Sequence, residues 1–442
     1  MSTTAASIRS RNIVRTAWTG LAAKLIAIGI SLLMVPMGIH YLGKDEYGLW
    51  VAASSLIAML GFMDGGAGNV AINMVAYAKG EDPAKLRQIV STLFFSVMLF
   101  ALLGWMLFAG IWPLMPWERL IGGASNQAGI PNLILIIGTF FFISMVVTLV
   151  GKVQRGMQDG YLENLWNALG SVLTLVLLYS VIQMNWGLQS FAVVLLLGPL
   201  MAAMLSNLHY WYYYKPDIRP SIAMVDLELA KGAIRTGAMF FVLQIATLIQ
   251  GEVDNVLIAN ILGASSVTSY AVCMKLFLIF PMFLGLLLAP LWPAYREALS
   301  SGDILWIKRI FFKSMKIACF TSIPVAILLS VWGREIIHAW VGEDLTPSDL
   351  LLAGCAIWMF CCSVGTALAM FFNGMQFIKI QVIAAISSSV LNVFFSVYLI
   401  HRIGVAGAVW GSVIGWLSGT LIPYLFILRH TFRNESWLRH GL

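Results

Sequence analysis

Gln250-Gly251-Glu252-Val253-Asp254-Asn255 opens an apolar run that closes at Leu262-Gly263, and a second apolar run follows, carrying Lys275. The stretch reads as two membrane-spanning helices meeting at a tight turn. Each holds formal charge inside a run that lipid would surround, at a cost of about 2.5–3.5 kcal/mol per charge on insertion scales. The turn has a counterpart near the start of the chain. Leu42-Gly43 precedes Trp50 at the spacing by which Leu262-Gly263 precedes Tyr270.

The remainder is of the same kind. The 442 residues are 60% hydrophobic and 11% charged, with mean hydropathy +0.86, whereas soluble domains carry about 25% charged residues. Apolar runs of about 20 residues, enough to cross a bilayer as helix, recur from end to end. They are continuous rather than alternating, which argues against a transmembrane barrel. The expectation is an all-α polytopic membrane protein with about twelve spans, near 15–41, 47–78, 89–112, 130–152, 161–183, 188–213, 236–262, 266–295, 309–331, 349–373, 379–400 and 404–429. Arg9, Arg11 and Arg15 precede the first run as in a signal peptide, but the run is too long and more follow, so it is expected to remain as a helix. The five cysteines (Cys273, Cys319, Cys355, Cys361 and Cys362) lie in apolar runs without metal-ligand spacing, so no disulfide is expected.

Basic residues occupy the N-terminus and alternate connections, among them Lys79, Lys85, Lys152, Arg155, Lys215, Arg219, Arg296, Lys308, Lys379 and Arg429. Only Lys44, Arg119, Arg334 and Arg402 fall on the other side. Lys and Arg collect on the cytoplasmic side of membranes, so both termini are expected there. The +7 net charge is thus a topology signal and not a nucleic-acid footprint. The longest external loops, near 113–129 and 332–348, are too short for a catalytic domain, and their Trp112, Trp117, Trp332 and Trp340 suit an interfacial belt.

The halves repeat. Leu42-Gly43 recurs at Leu262-Gly263, Gly156-Met157-Gln158 at Gly374-Met375-Gln376, and Gly187-Leu188 at Gly404-Val405, with offsets of 220, 218 and 217. Residues 1–213 and 236–442 are expected as two six-helix bundles joined by a cytoplasmic linker, 214–235. Six spans per half make the repeats parallel, a transporter architecture whose substrate path lies at the repeat interface.

Leu42-Gly43-Lys44-Asp45-Glu46-Tyr47-Gly48-Leu49-Trp50, with Asp64-Gly65-Gly66, resembles the opening of Wzx-type polysaccharide-export flippases. These form a branch of the multidrug, oligosaccharidyl-lipid and polysaccharide exporter superfamily. Asp254-Asn255-Val256-Leu257-Ile258, Leu262-Gly263, Tyr270 and Lys275-Leu276 resemble the opening of that family's second half. The resemblance covers essentially the whole chain. It implies two bundles around a central cavity that opens alternately to each side of a bacterial inner membrane. The implied cargo is a polyprenyl-pyrophosphate-linked oligosaccharide, such as an O-antigen unit, and the implied partners are membrane lipids and polysaccharide-assembly proteins. No cofactor, nucleic acid or oligomer is called for.

Charge inside the spans marks the candidate site. Asp254 lies eight residues before Leu262 and Lys275 eight after Val267, each roughly 12 Å below the turn at 1.5 Å per residue. They are expected at matching depth, either pairing two helices or offering Lys275 to a pyrophosphate or acidic sugar. Lys24 and Asp64 could match in the first half, with Asn69 and Asn73 continuing a polar line from Asp64 and Arg155 near the cytoplasmic mouth. The pairs do not superpose, since Asp254 maps to Met34 and Lys275 to Ser55. Asp64, Glu252 and Asp254 are candidate sites for a coupling H⁺ or Na⁺, although Glu252 points about 200° away from Asp254 around the helix. Gly407, Gly411, Gly415 and Gly419 form a face for close helix packing. Pro281, Pro290 and Pro293 should kink or end the eighth span. Gly65-Gly66-Ala67-Gly68 lacks the Lys-Ser/Thr of a phosphate loop, so no ATPase is expected. Two other readings remain at this point. A multidrug extruder of the same superfamily would favour acidic cavity residues, and a membrane glycan-transferring enzyme would need a larger loop or paired carboxylates.

Overall fold

The computed structural model describes residues 2–58, 67–78, 83–120, 129–231, 252–300, 302–342, 345–375 and 377–433. All regular structure among them is helical. Lipid offers no hydrogen-bond partners, and a helix satisfies its own backbone. In chain order the elements are α1 (Ser2–Ala58), α2 (Ala67–Ala78), α3 (Pro83–Ile111), α4 (Trp117–Leu120), α5 (Ile130–Val147), α6 (Leu149–Gly156), α7 (Gly160–Met184) and α8 (Gly187–Leu208). There follow α9 (252–262), α10 (Ala264–Leu288), α11 (Leu291–Ser300), α12 (Ile304–Val341), α13 (Asp349–Gly374), α14 (Ile378–Ile403), α15 (Ala406–Trp416) and α16 (Ile422–Arg433).

Among the described residues, ten helical stretches are long and apolar enough to cross a membrane. The first, within α1, is two spans, because Gly43 breaks it with φ 75° and ψ 169°. Gly263 has nearly the same backbone (φ 92°, ψ 162°) between α9 and α10. A positive φ of this kind suits glycine, which has no Cβ to clash. With α9 counted, the roughly twelve expected helices are present. Side chains such as Leu99, Leu107, Phe320 and Phe426 stay exposed, as lipid-facing residues do.

Two spans differ from the expectation. α12 extends well past both ends of 309–331. Hydropathy ends where the apolar run ends, but the helix is carried on by its caps. Asp303 Oδ1 accepts the Trp306 N–H at 3.0 Å, and Gly342 closes the other end at φ 106°. The expected loop 332–348 is therefore helical as far as Val341. The eighth span ends at Leu288, just before Pro290, and Pro281 lies within its helix.

The chain divides into two compact units. One takes Met1–Gly43, Leu56–Arg119 and Ser125–Ile245, the other Lys44–Ser55, Leu120–Ala124 and Ala246–Leu442. Lys44–Ser55, which precedes the 214–235 linker in sequence, thus packs with the later helices. Gly48 lies flush on the Ala264 carbonyl, where a Cβ would collide. Asn255 Nδ2 donates to Ser55 Oγ at 2.9 Å, and Thr268 Oγ1 donates to the Lys44 carbonyl.

The internal repeat holds at the level of single contacts. In the first unit a Cβ on Gly156 would meet Val75 and the Ile72 carbonyl; in the second, one on Gly374 would meet Tyr295 and the Trp292 carbonyl. Those partners are offset by 220 residues. After each glycine the chain turns through the same bond. Asp159 N–H donates to the Gln154 carbonyl at 2.7 Å, and Phe377 N–H to the Phe372 carbonyl at 3.0 Å. The long helix pairs match as well. Gly198 of α8 meets the Thr174 backbone of α7, and Gly415 of α15 meets the Asn392 backbone of α14.

Candidate functional site

The glycine face of α15 brings a set of polar side chains together inside the second unit. A Cβ on Gly415 would lie 2.7 Å from the Asn392 nitrogen, and one on Gly419, in the π-helical turn that continues α15, would press on Ser388. Glycines at four-residue spacing let the two backbones touch. The facing stripe of α14 is then sealed, so that Ser388, Asn392 and Ser396 are 0% exposed. Asn392 Nδ2 donates to Ser412 Oγ across the seam at 2.6 Å.

Asp254 of α9 completes the set and is buried, at 3% exposure. Its Oδ2 accepts Ser412 Oγ at 2.6 Å and Tyr270 Oη at 2.9 Å. Its Oδ1 accepts Ser396 Oγ at 3.1 Å. Side chains from α10, α14 and α15 thus converge on one carboxylate of α9. Three hydroxyl donors satisfy the ionised form, as burial of such a group requires. Ser396 has a second acceptor in reach, the Ala408 carbonyl at 3.1 Å. Its single proton serves one acceptor at a time, so its lone pairs can turn toward the centre. Asn392 Oδ1 is buried with no hydrogen-bond partner among the described residues. Among those residues no group of three or more His, Cys, Asp or Glu is placed to hold a metal ion. A lone carboxylate with hydroxyl and amide oxygens suits a proton or a monovalent cation better than a divalent ion, which takes more charge and more ligands.

Tyr270, rather than Lys275, meets Asp254. α10 begins at Ala264, two residues earlier than the expected 266, and Tyr270 comes to the depth of the carboxylate. Lys275 lies five residues further along α10, roughly 7.5 Å deeper at 1.5 Å per residue and on another face. It is half-buried, and the ion pairs among the described residues do not include it. Glu252 is half-buried at the start of α9, and Lys24 is exposed on α1. Arg155, at the end of α6, grips Glu163 of α7 through Nη2 at 2.7 Å and through Nε. Asn69 and Asn73 stand on α2, but their side chains, like Asp64 as a whole, lie outside the described residues. The structure thus joins Asp254 to Tyr270, Asn392, Ser396 and Ser412, none of which the sequence reading placed at the site. The signal was there in part. Ser388, Asn392 and Ser396 recur every four residues, opposite a glycine stripe of the same period.

Known proteins share this arrangement of helices and, more distantly, this sequence. A Salmonella typhi protein provisionally described as an O-antigen transporter is 21% identical over 404 residues, covering 89% of this chain and 90% of the relative. Among solved structures, an inward-facing multidrug resistance MATE family transporter of the MOP superfamily matches at TM-score 0.73 and 17% identity, over 92% of this chain and 98% of the other. The lipid II flippase MurJ, inward closed, matches at TM-score 0.71 and 14% identity, over 94% and 87%. At such identity the two structures show a shared fold. The apolar helices and the Salmonella relative mark a multi-pass protein of the inner membrane. The family profile of the polysaccharide biosynthesis proteins matches residues 14–297, well over half the sequence. The chain belongs to that family of polysaccharide biosynthesis proteins.

Proposed function

We propose that this protein is a flippase that carries a polyprenyl-pyrophosphate-linked oligosaccharide, such as an O-antigen repeat unit, across the inner membrane by alternating access. The observation that carries the reading is the full-length similarity to the Salmonella protein described as an O-antigen transporter. Two arrangements add to it. Lys275 is a half-buried cation inside a span with no ion-pair partner among the described residues, a suitable contact for pyrophosphate. Asp254 supplies the coupling site. When Na⁺ arrives, Ser396 and Ser412 turn lone pairs inward and the unpartnered Asn392 Oδ1 becomes a further ligand; when a proton arrives, the new carboxyl O–H donates to one of these oxygens. Neutralising the Asp254 carboxylate in this way loosens the hold of the three hydroxyls on α9, which gives the ion a means of moving that helix.

The test is flipping of a lipid-linked oligosaccharide by purified protein in proteoliposomes, with empty liposomes as the reference. Movement of the glycan to the opposite leaflet supports the reading. Failure to move a panel of lipid-linked glycans, together with export of cationic drugs, would move the protein to the extruder class.

A further inference from the structure

The first unit contains a groove that the transport reading does not use. It has a volume of about 490 Å³ and lies between α3, the α5–α6 junction and the end of α8. That volume is within the roughly 300–1,000 Å³ of small-molecule pockets. Its walls include Phe94, Phe95, Val146, Met204, Leu208 and Tyr212, and Arg219 stands at its rim.

Two polar groups along the walls, the Val147 carbonyl and the Asn207 amide, are already satisfied. The helix break at Thr148 frees the Val147 carbonyl, and Asn207 Nδ2 takes it at 2.7 Å. The Asn207 Oδ1 accepts Trp211 Nε1 at 2.9 Å. Apart from the Tyr212 hydroxyl and Arg219, the other lining side chains are apolar.

Arg219 is held in place at the rim. Arg87 Nε donates to its backbone carbonyl at 3.1 Å. Its guanidinium lies over the Tyr212 ring, 4.2 Å from the centroid. Stacking in this way leaves the edge donors of a guanidinium open to an oxyanion. Among the described residues those donors have no acceptor. On the same connector Asp217 makes no ion pair with Arg219 among the described residues, and Asp226 is otherwise engaged. Its Oδ1 accepts the Glu228 and Leu229 N–H groups, and its Oδ2 accepts Gln88 Nε2 at 3.1 Å. Lys215 adds a second cation beside Tyr214.

An apolar groove with a stacked guanidinium among its lining groups, unmatched among the described residues, is complementary to a molecule with an apolar chain and an anionic head. We propose that the groove binds one anionic glycerophospholipid, with an acyl chain against Phe95, Met204 and Leu208 and its phosphate on Arg219. The site follows from membrane location alone and stands or falls separately from the identity of the cargo. It differs from general attraction of basic loops to anionic lipid in requiring both the slot and the stacked arginine.

Native mass spectrometry of the purified full chain, equilibrated with phosphatidylglycerol or phosphatidylethanolamine, tests it. One phosphatidylglycerol should be retained selectively. Arg219→Ala should weaken retention by about tenfold, as loss of the principal charged partner implies. Leu208→Trp, at a lipid-exposed position that tolerates bulk, should do the same by filling the slot. Lys231→Ala, an exposed cation paired with Glu228 away from the groove, should change nothing. Glycerol phosphate, which lacks the chains, should not compete. Equal retention of phosphatidylethanolamine, equal loss in all three variants, or full competition by glycerol phosphate would each overturn the proposal.

Discussion

The two helix pairs α7–α8 and α14–α15 are equivalent under the repeat, yet they hold opposite chemistry. Each closes around a glycine whose Cβ would lie 2.7 Å from the opposing backbone nitrogen, Gly198 on Thr174 and Gly415 on Asn392. In the first pair Thr174 returns its hydroxyl to the Gly170 carbonyl of its own helix at 2.8 Å. The residues that correspond to Asp254, Ser396 and Ser412 are Met34, Leu178 and Leu195, all apolar. In the second pair Asn392 reaches across the seam, and the hydroxyls converge on Asp254.

At the loop end the contrast reverses. Gln154 donates to Ser206 at 3.0 Å in the first unit, where the second unit stacks Phe372 on Tyr424 with centroids 4.1 Å apart. Asp159 receives the Tyr210 hydroxyl, where Phe377 packs on Phe372. Duplicated backbone contacts preserve the scaffold, while the side chains at those contacts are free to diverge. A buried carboxylate costs stability unless donors are placed around it. The first unit buries its own carboxylate, Asp159, at the turn after α6, but at the place of Asp254 it has Met34, so a carboxylate at the helix seam points to a task that only one half performs.

The largest effect should come from the seam that both units share. Gly415→Val would force bulk against the Asn392 backbone, where overpacking costs about 1–3 kcal/mol or more. Gly198→Val should do the same to the first unit, and membrane yield and thermal melting of both variants measure the effect. A Gly415 variant of wild-type stability would mean that the backbones are not in contact there.

Charge separates the halves next. Lys275→Ala should lower flipping by about tenfold or more at unchanged membrane level, as removal of an interaction made during the transport cycle implies. Unchanged flipping would make Lys275 a structural cation. A smaller effect is expected from Asn392→Leu. It removes one neutral ligand and one hydrogen bond of about 1 kcal/mol, and should weaken the dependence of flipping on an H⁺ or Na⁺ gradient several-fold. The same replacement at the equivalent place, Thr174→Leu, should leave that dependence intact. The smallest effect should come from Arg155→Ala. Arg155 is 45% exposed, and exposed pairs contribute about 0–1 kcal/mol, so melting should barely move.

Much of this was legible in the sequence because lipid imposes simple rules. Apolar runs gave the spans, basic loops an expected topology, and Leu42-Gly43 with Leu262-Gly263 the repeat and both its turns. Helix ends were harder, as α12 illustrates, since caps such as Asp303 lie outside the apolar signal. Asp254 stood out through its cost, but its partners did not. Tyr270 was passed over because it carries no charge, and because the depth count ran from Val267 rather than from Ala264, where α10 starts. Ser396 and Ser412 come from helices about 140 and 160 residues further on, and serine in an apolar helix is ordinary. Only the matched stripes of glycine on α15 and polar residues on α14 could have pointed to them. The 44–55 segment escaped for a related reason. Chain order assigns it to the first half, whereas the contacts of Gly48 with Ala264, Lys44 with Thr268 and Ser55 with Asn255 tie it to the second.

Flipping of a lipid-linked oligosaccharide under an imposed H⁺ or Na⁺ gradient, with wild type beside Asp254→Asn, is the most direct test. Asparagine keeps the shape and loses the charge. Wild type should flip faster when the gradient is imposed, and Asp254→Asn should not respond to it, while thermal melting shows the variant folded. A folded Asp254→Asn that responds to the gradient as wild type does would contradict the assignment of this cluster as the coupling site.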